Sequence, residues 1–156
     1  MSFHITSPAF TDGEPIPVRY SGFDKNVSPP LRWSDPPPGT KSFVLLMDDP
    51  DAPKGAWVHW VLYHIPAYER SMHEGLPAKP ILSDGSRQGK NSSQRIGYSG
   101  PHPPEGRHHY YFKLYALNTM PDLAAGATKE QVWRAIKGHV LAETKLMGTY
   151  SQEKMH

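Results

Sequence analysis

The sequence predicts a mainly β protein of one domain, with one or two short helices and long loops, on the strength of three observations. Its 156 residues are enough to bury a core and short for two domains. Seventeen prolines and thirteen glycines are too many for a helical bundle, since each proline removes a backbone donor and each glycine weakens an element interior. The apolar residues gather in short runs rich in aromatic and β-branched side chains, bounded by turn signals.

Asp35-Pro36-Pro37-Pro38-Gly39 reads as a turn. The continuous apolar run Ser42–Met47 after it suits a strand buried on both faces, ending at Asp48-Asp49-Pro50. Trp57–Ile65 is a second strand, and strict alternation puts His59 on one face with Trp57, Val61 and Tyr63. Residues 66–109 read mostly as loop, of a length that is usually functional or mobile in a small domain. The strand His108–Leu117 places His108, Tyr110, Phe112 and Leu114 on one face and His109, Tyr111, Lys113 and Tyr115 on the other. Thr128-Lys129-Glu130-Gln131 is a capping box, opening a helix to about Lys137 with Val132, Trp133 and Ile136 as its buried stripe and Gly138 as its stop. The tail from Val140 to Tyr150 fits a helix or a strand, and a closing strand is preferred.

The net charge of +2 comes from interspersed acids and bases, unlike a nucleic-acid footprint. Without cysteine there is no disulfide framework or thiolate metal site, which favours a reducing compartment, and a cytoplasmic location is expected. The N-terminus has no basic and apolar leader pattern, and no apolar run approaches the roughly 18 residues of a membrane span, so no stable membrane insertion is expected.

Ser28-Pro29-Pro30-Leu31-Arg32-Trp33, with Pro38–Ser42 and Asp49-Pro50-Asp51-Ala52-Pro53, then Trp57-Val58-His59-Trp60, then Gly100–Gly106 with His108-His109-Tyr110, and finally Gly148-Thr149-Tyr150, span nearly the whole chain. In this order they resemble the phosphatidylethanolamine-binding family, in its bacterial and archaeal Raf-kinase-inhibitor-like branch. The resemblance implies a β-sandwich over residues 1–156 whose larger sheet carries a small pocket at one end. That pocket would bind a small anion such as phosphate, or a phospholipid head group, without catalysis, metal or cofactor. Position by position it would consist of Asp49, His59, His108 and Tyr110, with Pro50 and Gly100 shaping the wall. The resemblance further implies a homodimer, a cis Ala52–Pro53 bond, and regulation of a kinase or protease partner that no motif here identifies. Two departures stand out: His109 occupies a place where the family commonly has arginine, and the chain stops soon after Tyr150, without the C-terminal helix that partly covers the pocket in animal members. A more open pocket is expected.

The residue types suit an anion, since histidine offers an N–H in either charge state and tyrosine an O–H. A carboxylate beside an anion is explained if Asp49 positions a histidine. The rival is a metal-dependent enzyme built on the same His/Asp cluster, although no metal-ligand spacing accompanies it. Gly97-Tyr98-Ser99-Gly100-Pro101 fails the spacing of a serine-hydrolase elbow. Trp33, Trp57, Trp60 and Trp133 read as packing residues. His4, His64, His73, His102, His139 and His156 have no partner that the sequence identifies, and most are expected to be solvated.

Overall fold

The computed structural model describes residues 2–53 and 55–152, and His156 lies outside them. The strands are β1 (His4–Thr6), β2 (Leu31–Ser34), β3 (Ser42–Asp49), β4 (Trp57–Pro66), β5 (Ser71–Met72), β6 (Arg87–Gln88), β7 (Gly106–Leu117) and β8 (Val140–Gln152), with one helix, α1 (Lys129–Ile136), and a 3-10 turn at Val18–Tyr20. They form two antiparallel sheets, ordered β1-β2-β5 and β6-β4-β3-β7-β8. The expected mainly β sandwich with long loops is what the chain adopts.

β3 occupies the centre of the larger sheet and is buried at every position, as its unbroken apolar run requires. Phe43, Leu45 and Met47 face the smaller sheet, where they meet Ile5, Leu31 and Trp33 in one core with Phe112 and Leu114. Val44 and Leu46 point the other way, into a second core capped by Val132 and Ile136 of α1. Thr128 closes the helix start through the reciprocal bonds of the capping box. Trp133 does not join the buried stripe. It is 45% exposed, resting edge-on against Tyr115, because an eight-residue helix lying on a sheet presents too narrow a face to bury three large side chains in this stretch.

The tail is a strand, β8, paired along the length of β7. Its outer edge is partly covered by an early segment: the Gly13 N–H donates to the Met147 carbonyl at 2.7 Å and the Ile16 N–H to the Thr149 carbonyl at 2.7 Å.

Two further expectations fail locally. No described peptide bond is cis, so Ala52–Pro53 is trans, and the turn after β3 is made without that isomer. Strict alternation also breaks in β4. Met47 pairs with Trp60 but Asp48 pairs with Val58, so His59 is the extra residue of a β-bulge. Val61 and Tyr63 pack towards α1, while His59 turns to the opposite face with Tyr110.

Candidate functional site

The bulge brings His59 to the same end of the sheet as the last residue of β3, Asp49, and the first turn-side residues of β7, His108 and Tyr110. Asp49 is 3% exposed and both its oxygens are used. Oδ1 accepts from the Asp51 backbone N–H at 2.8 Å, and Oδ2 accepts from His108 Nδ1 at 2.6 Å. His59 donates through Nδ1 to the Ser99 carbonyl at 2.6 Å, while the Ser99 N–H donates back to the His59 carbonyl at 2.9 Å. Tyr110 stands between the two rings, edge-on to His59 with centroids 5.2 Å apart and stacked with His108 at 6.4 Å.

Burial pushes the His59 ring below its ordinary value, against the Ser99 carbonyl and the nearby Asp49 charge, which pull it up. The Tyr110 hydroxyl is driven upward by burial first and by the Asp49 and Asp51 carboxylates next, so it keeps its proton at neutral pH.

These side chains open onto a cavity of about 450 Å³ lined by Asp49, His59, His108, Tyr110 and Gly100 together with loop residues. Gly100 owes its identity to crowding. Its N–H donates to Asn26 Oδ1 at 2.7 Å, and a Cβ there would collide with the Tyr20 carbonyl oxygen. Pro50, assigned to the wall by resemblance, is exposed and does not line the cavity; Ala52 and Pro53 take that place. His102, left without a partner by the sequence reading, lines the cavity and stacks on Phe23 with centroids 4.0 Å apart. Its place inside the Gly-Pro-His-Pro-Pro motif is the signal that would have found it. The other unassigned histidines make local contacts away from the cavity: His64 reaches the Pro121 carbonyl, His73 the Glu74 carbonyl at 2.9 Å, and His139 the Asn118 side chain at 3.0 Å, while His4 is exposed.

The neighbouring histidines of β7 divide their work between the two faces of the strand. While His108 holds Asp49, the His109 backbone N–H and Nδ1 donate to Asp51 Oδ2 at 2.8 and 2.7 Å. Both acids flanking Pro50 are thereby clipped to β7, and the wall residues Ala52 and Pro53 follow directly. These bonds hold the Asp51 carboxyl below its ordinary value. A depressed carboxyl contributes stability above its unfolded pKa of about 3.9 and loses it as pH falls through the lower folded value. Asp51→Asn is therefore expected to unfold at lower urea than the parent at neutral pH, with the difference shrinking below about pH 4. A difference that stays constant through that range would show that the clip does not titrate.

A two-sheet β-sandwich with an Asp/His/Tyr cavity at the end of its larger sheet has the architecture of a small-ligand binding protein. The sequence profile of the family described as "Phosphatidylethanolamine-binding protein" matches residues 6–151. This chain belongs to the phosphatidylethanolamine-binding protein family. It is 48% identical over 147 residues to the UPF0098 protein of Methanothermobacter thermautotrophicus, covering 94% of this chain and 97% of that one. Among solved structures it is similar to the phosphatidylethanolamine-binding protein homologue CT736 of Chlamydia trachomatis, with a TM-score of 0.90, 39% identity, and coverage of 97% of this chain and 99% of that one. It is also similar to YbcL of E. coli, described as a new member of the mammalian family, with a TM-score of 0.90, 30% identity, and coverage of 98% and 100%.

Proposed function

We propose that the cavity binds a small anion, phosphate or the phosphorylated head group of a lipid, without chemical turnover, and that occupancy regulates a protein partner in the manner of a kinase or protease inhibitor. The observation that carries this reading is the 2.6 Å bond from His108 Nδ1 to Asp49 Oδ2. The carboxylate is spent on orienting the ring, so that the other ring nitrogen is left for a ligand and the acid is masked from it. Tyr110 supplies a hydroxyl that stays protonated. Among the described residues, no group of three or more His, Cys, Asp or Glu is placed to hold a metal ion.

His108→Ala is expected to weaken phosphate or phosphorylethanolamine binding by about 1.5–3 kcal/mol in calorimetric titration, the range for a hydrogen bond to a charged group. His139→Ala, on the far side of the fold, is the unchanged control. Tight zinc binding that disappears with His59→Ala, together with no anion binding, would replace this reading with the metalloenzyme. A cytoplasmic location and a homodimer belong to the same proposal. The cysteine-free composition supports the first, and dilute light scattering tests the second.

A further inference from the structure

Two of the three histidines that line the cavity have Nδ1 committed to an acceptor: His59 to the Ser99 carbonyl and His108 to the Asp49 carboxylate, each at 2.6 Å. An oxygen acceptor at that distance fixes the proton on Nδ1. What each ring has left for a ligand is Nε2, a lone pair in the neutral ring and an N–H only in the charged one.

For His59 the surroundings decide between the two. The ring is 5% exposed. From β3 it is faced by Asp49 and, more remotely, Asp48, whose charge is already met on the other side of the sheet by Lys129 at 3.0 Å and Lys113 at 3.4 Å. From β7 it meets Tyr110, with His108 beyond, and from the loop the carbonyls of Ser99 and Gly100. Among the described residues, no lysine or arginine lines the cavity. Among the described residues lining the cavity, a buried positive charge on His59 would have one carboxylate to answer it, Asp49, which is already bonded to His108 and to the Asp51 N–H. Burial outweighs the carboxylates and holds the His59 ring below its ordinary value, which favours the neutral form.

Resting on the anion reading above, we propose that the cavity selects anions that carry an exchangeable proton, namely phosphate and monoanionic phosphate monoesters, over anions that carry none, such as sulfate, because His59 Nε2 meets the ligand as a hydrogen-bond acceptor. A P–O–H group donates to that lone pair. A sulfate oxygen in the same place sets lone pair against lone pair and leaves a buried acceptor unmet. The site therefore reads the protonation state of its ligand as well as its shape and charge.

Three probes separate the cases by calorimetric titration. Inorganic phosphate retains a proton from about pH 6 to 8, methyl phosphate loses its last one near pH 6, and sulfate has none in this range. Phosphate is expected to bind about tenfold or more tightly than sulfate, the ratio set by one unmet buried hydrogen bond. Methyl phosphate is expected to weaken more steeply than inorganic phosphate as pH rises from about 6 to 8, following the loss of its monoanion. His59→Gln, whose amide can turn an N–H towards the ligand, is expected to narrow the phosphate-to-sulfate ratio to about threefold or less. Equal affinity of the parent protein for phosphate and sulfate would overturn the selection while the anion reading stands. If neither binds, the anion reading fails, and this proposal with it.

Discussion

Trp60→Ala is expected to destabilise the fold by about 3–5 kcal/mol, the range for removing a large aromatic side chain from a core. Trp60 is completely buried and lies edge-on to Tyr98 with centroids 5.4 Å apart. Its indole Nε1 donates to Gln88 Oε1 at 2.8 Å, while the amide of Gln88 donates to the carbonyls of Pro77 and Lys79 at 2.8 and 2.9 Å. Truncation thus opens a cavity and also strands the acceptor of a buried amide that tethers the 77–80 loop to β4. Urea unfolding checks the magnitude. Trp60→Phe, which fills most of the space but makes no hydrogen bond, should recover more than half of the loss. If it recovers none, the bond to Gln88 dominates and the packing argument fails. Because Trp60 is the residue beside the His59 bulge, ligand affinity should fall with Trp60→Ala even under conditions where the variant remains folded.

Gly100→Ala is expected to cost about 3 kcal/mol or more, at the upper end of what forced overpacking does. The added methyl would meet the Tyr20 carbonyl oxygen well inside van der Waals contact and Asn26 Oδ1 at 2.8 Å. Tyr20 cannot retreat easily, since its carbonyl accepts from the Tyr98 hydroxyl at 2.6 Å and its own hydroxyl is bonded to Glu74 at 2.6 Å. The loop carrying Ser99 must shift instead, and with it the carbonyl that sets the His59 ring. Anion affinity should therefore drop about tenfold or more alongside stability. Gly13→Ala is the contrast. Nothing lies within 4 Å of its missing Cβ, so only the strain of its positive φ, about 1–2 kcal/mol, is expected, with binding unchanged. A Gly100→Ala protein of parental stability and affinity would remove crowding as the reason for this glycine.

Much of the larger sheet was legible because burial on both faces leaves a dense record. Ser42–Met47 has no polar alternation to misread, and the aromatic runs of β4 and β7 allow little but strand. The smaller sheet left almost no trace. β1, β2 and β5 have three, four and two residues, shorter than any period can be counted over, and they exist because the larger sheet gives Ile5, Leu31 and Trp33 something to cover. The faces of β7 followed from alternation, so His108 and Tyr110 appear together where the pattern put them. The face of His59 did not, because a bulge depends on the partner strand's register, which a single strand's sequence does not contain. Asp49 was expected to position a histidine, and it bonds His108. The role of His109 was hidden for a different reason: its partner, Asp51, is 58 residues away, and only the closed turn brings them together.

The pairing of Asp49 with His108 spans 59 residues of sequence, and the bond from the Met147 N–H to Asp12 spans 135. Contacts of such separation are slow to form, because chain entropy must be lost before they return any energy. On a ribosome, Asp49 and His59 emerge well before β7, and the central strand β3 waits for one of its two neighbours until Gly106–Leu117 has followed. The half-made sheet exposes an apolar strand edge throughout that interval. The loops between residues 66 and 106 hold prolines and no long apolar run, so the composition that makes this region unreadable as secondary structure also offers the exposed edge little strand to pair with while the chain is incomplete.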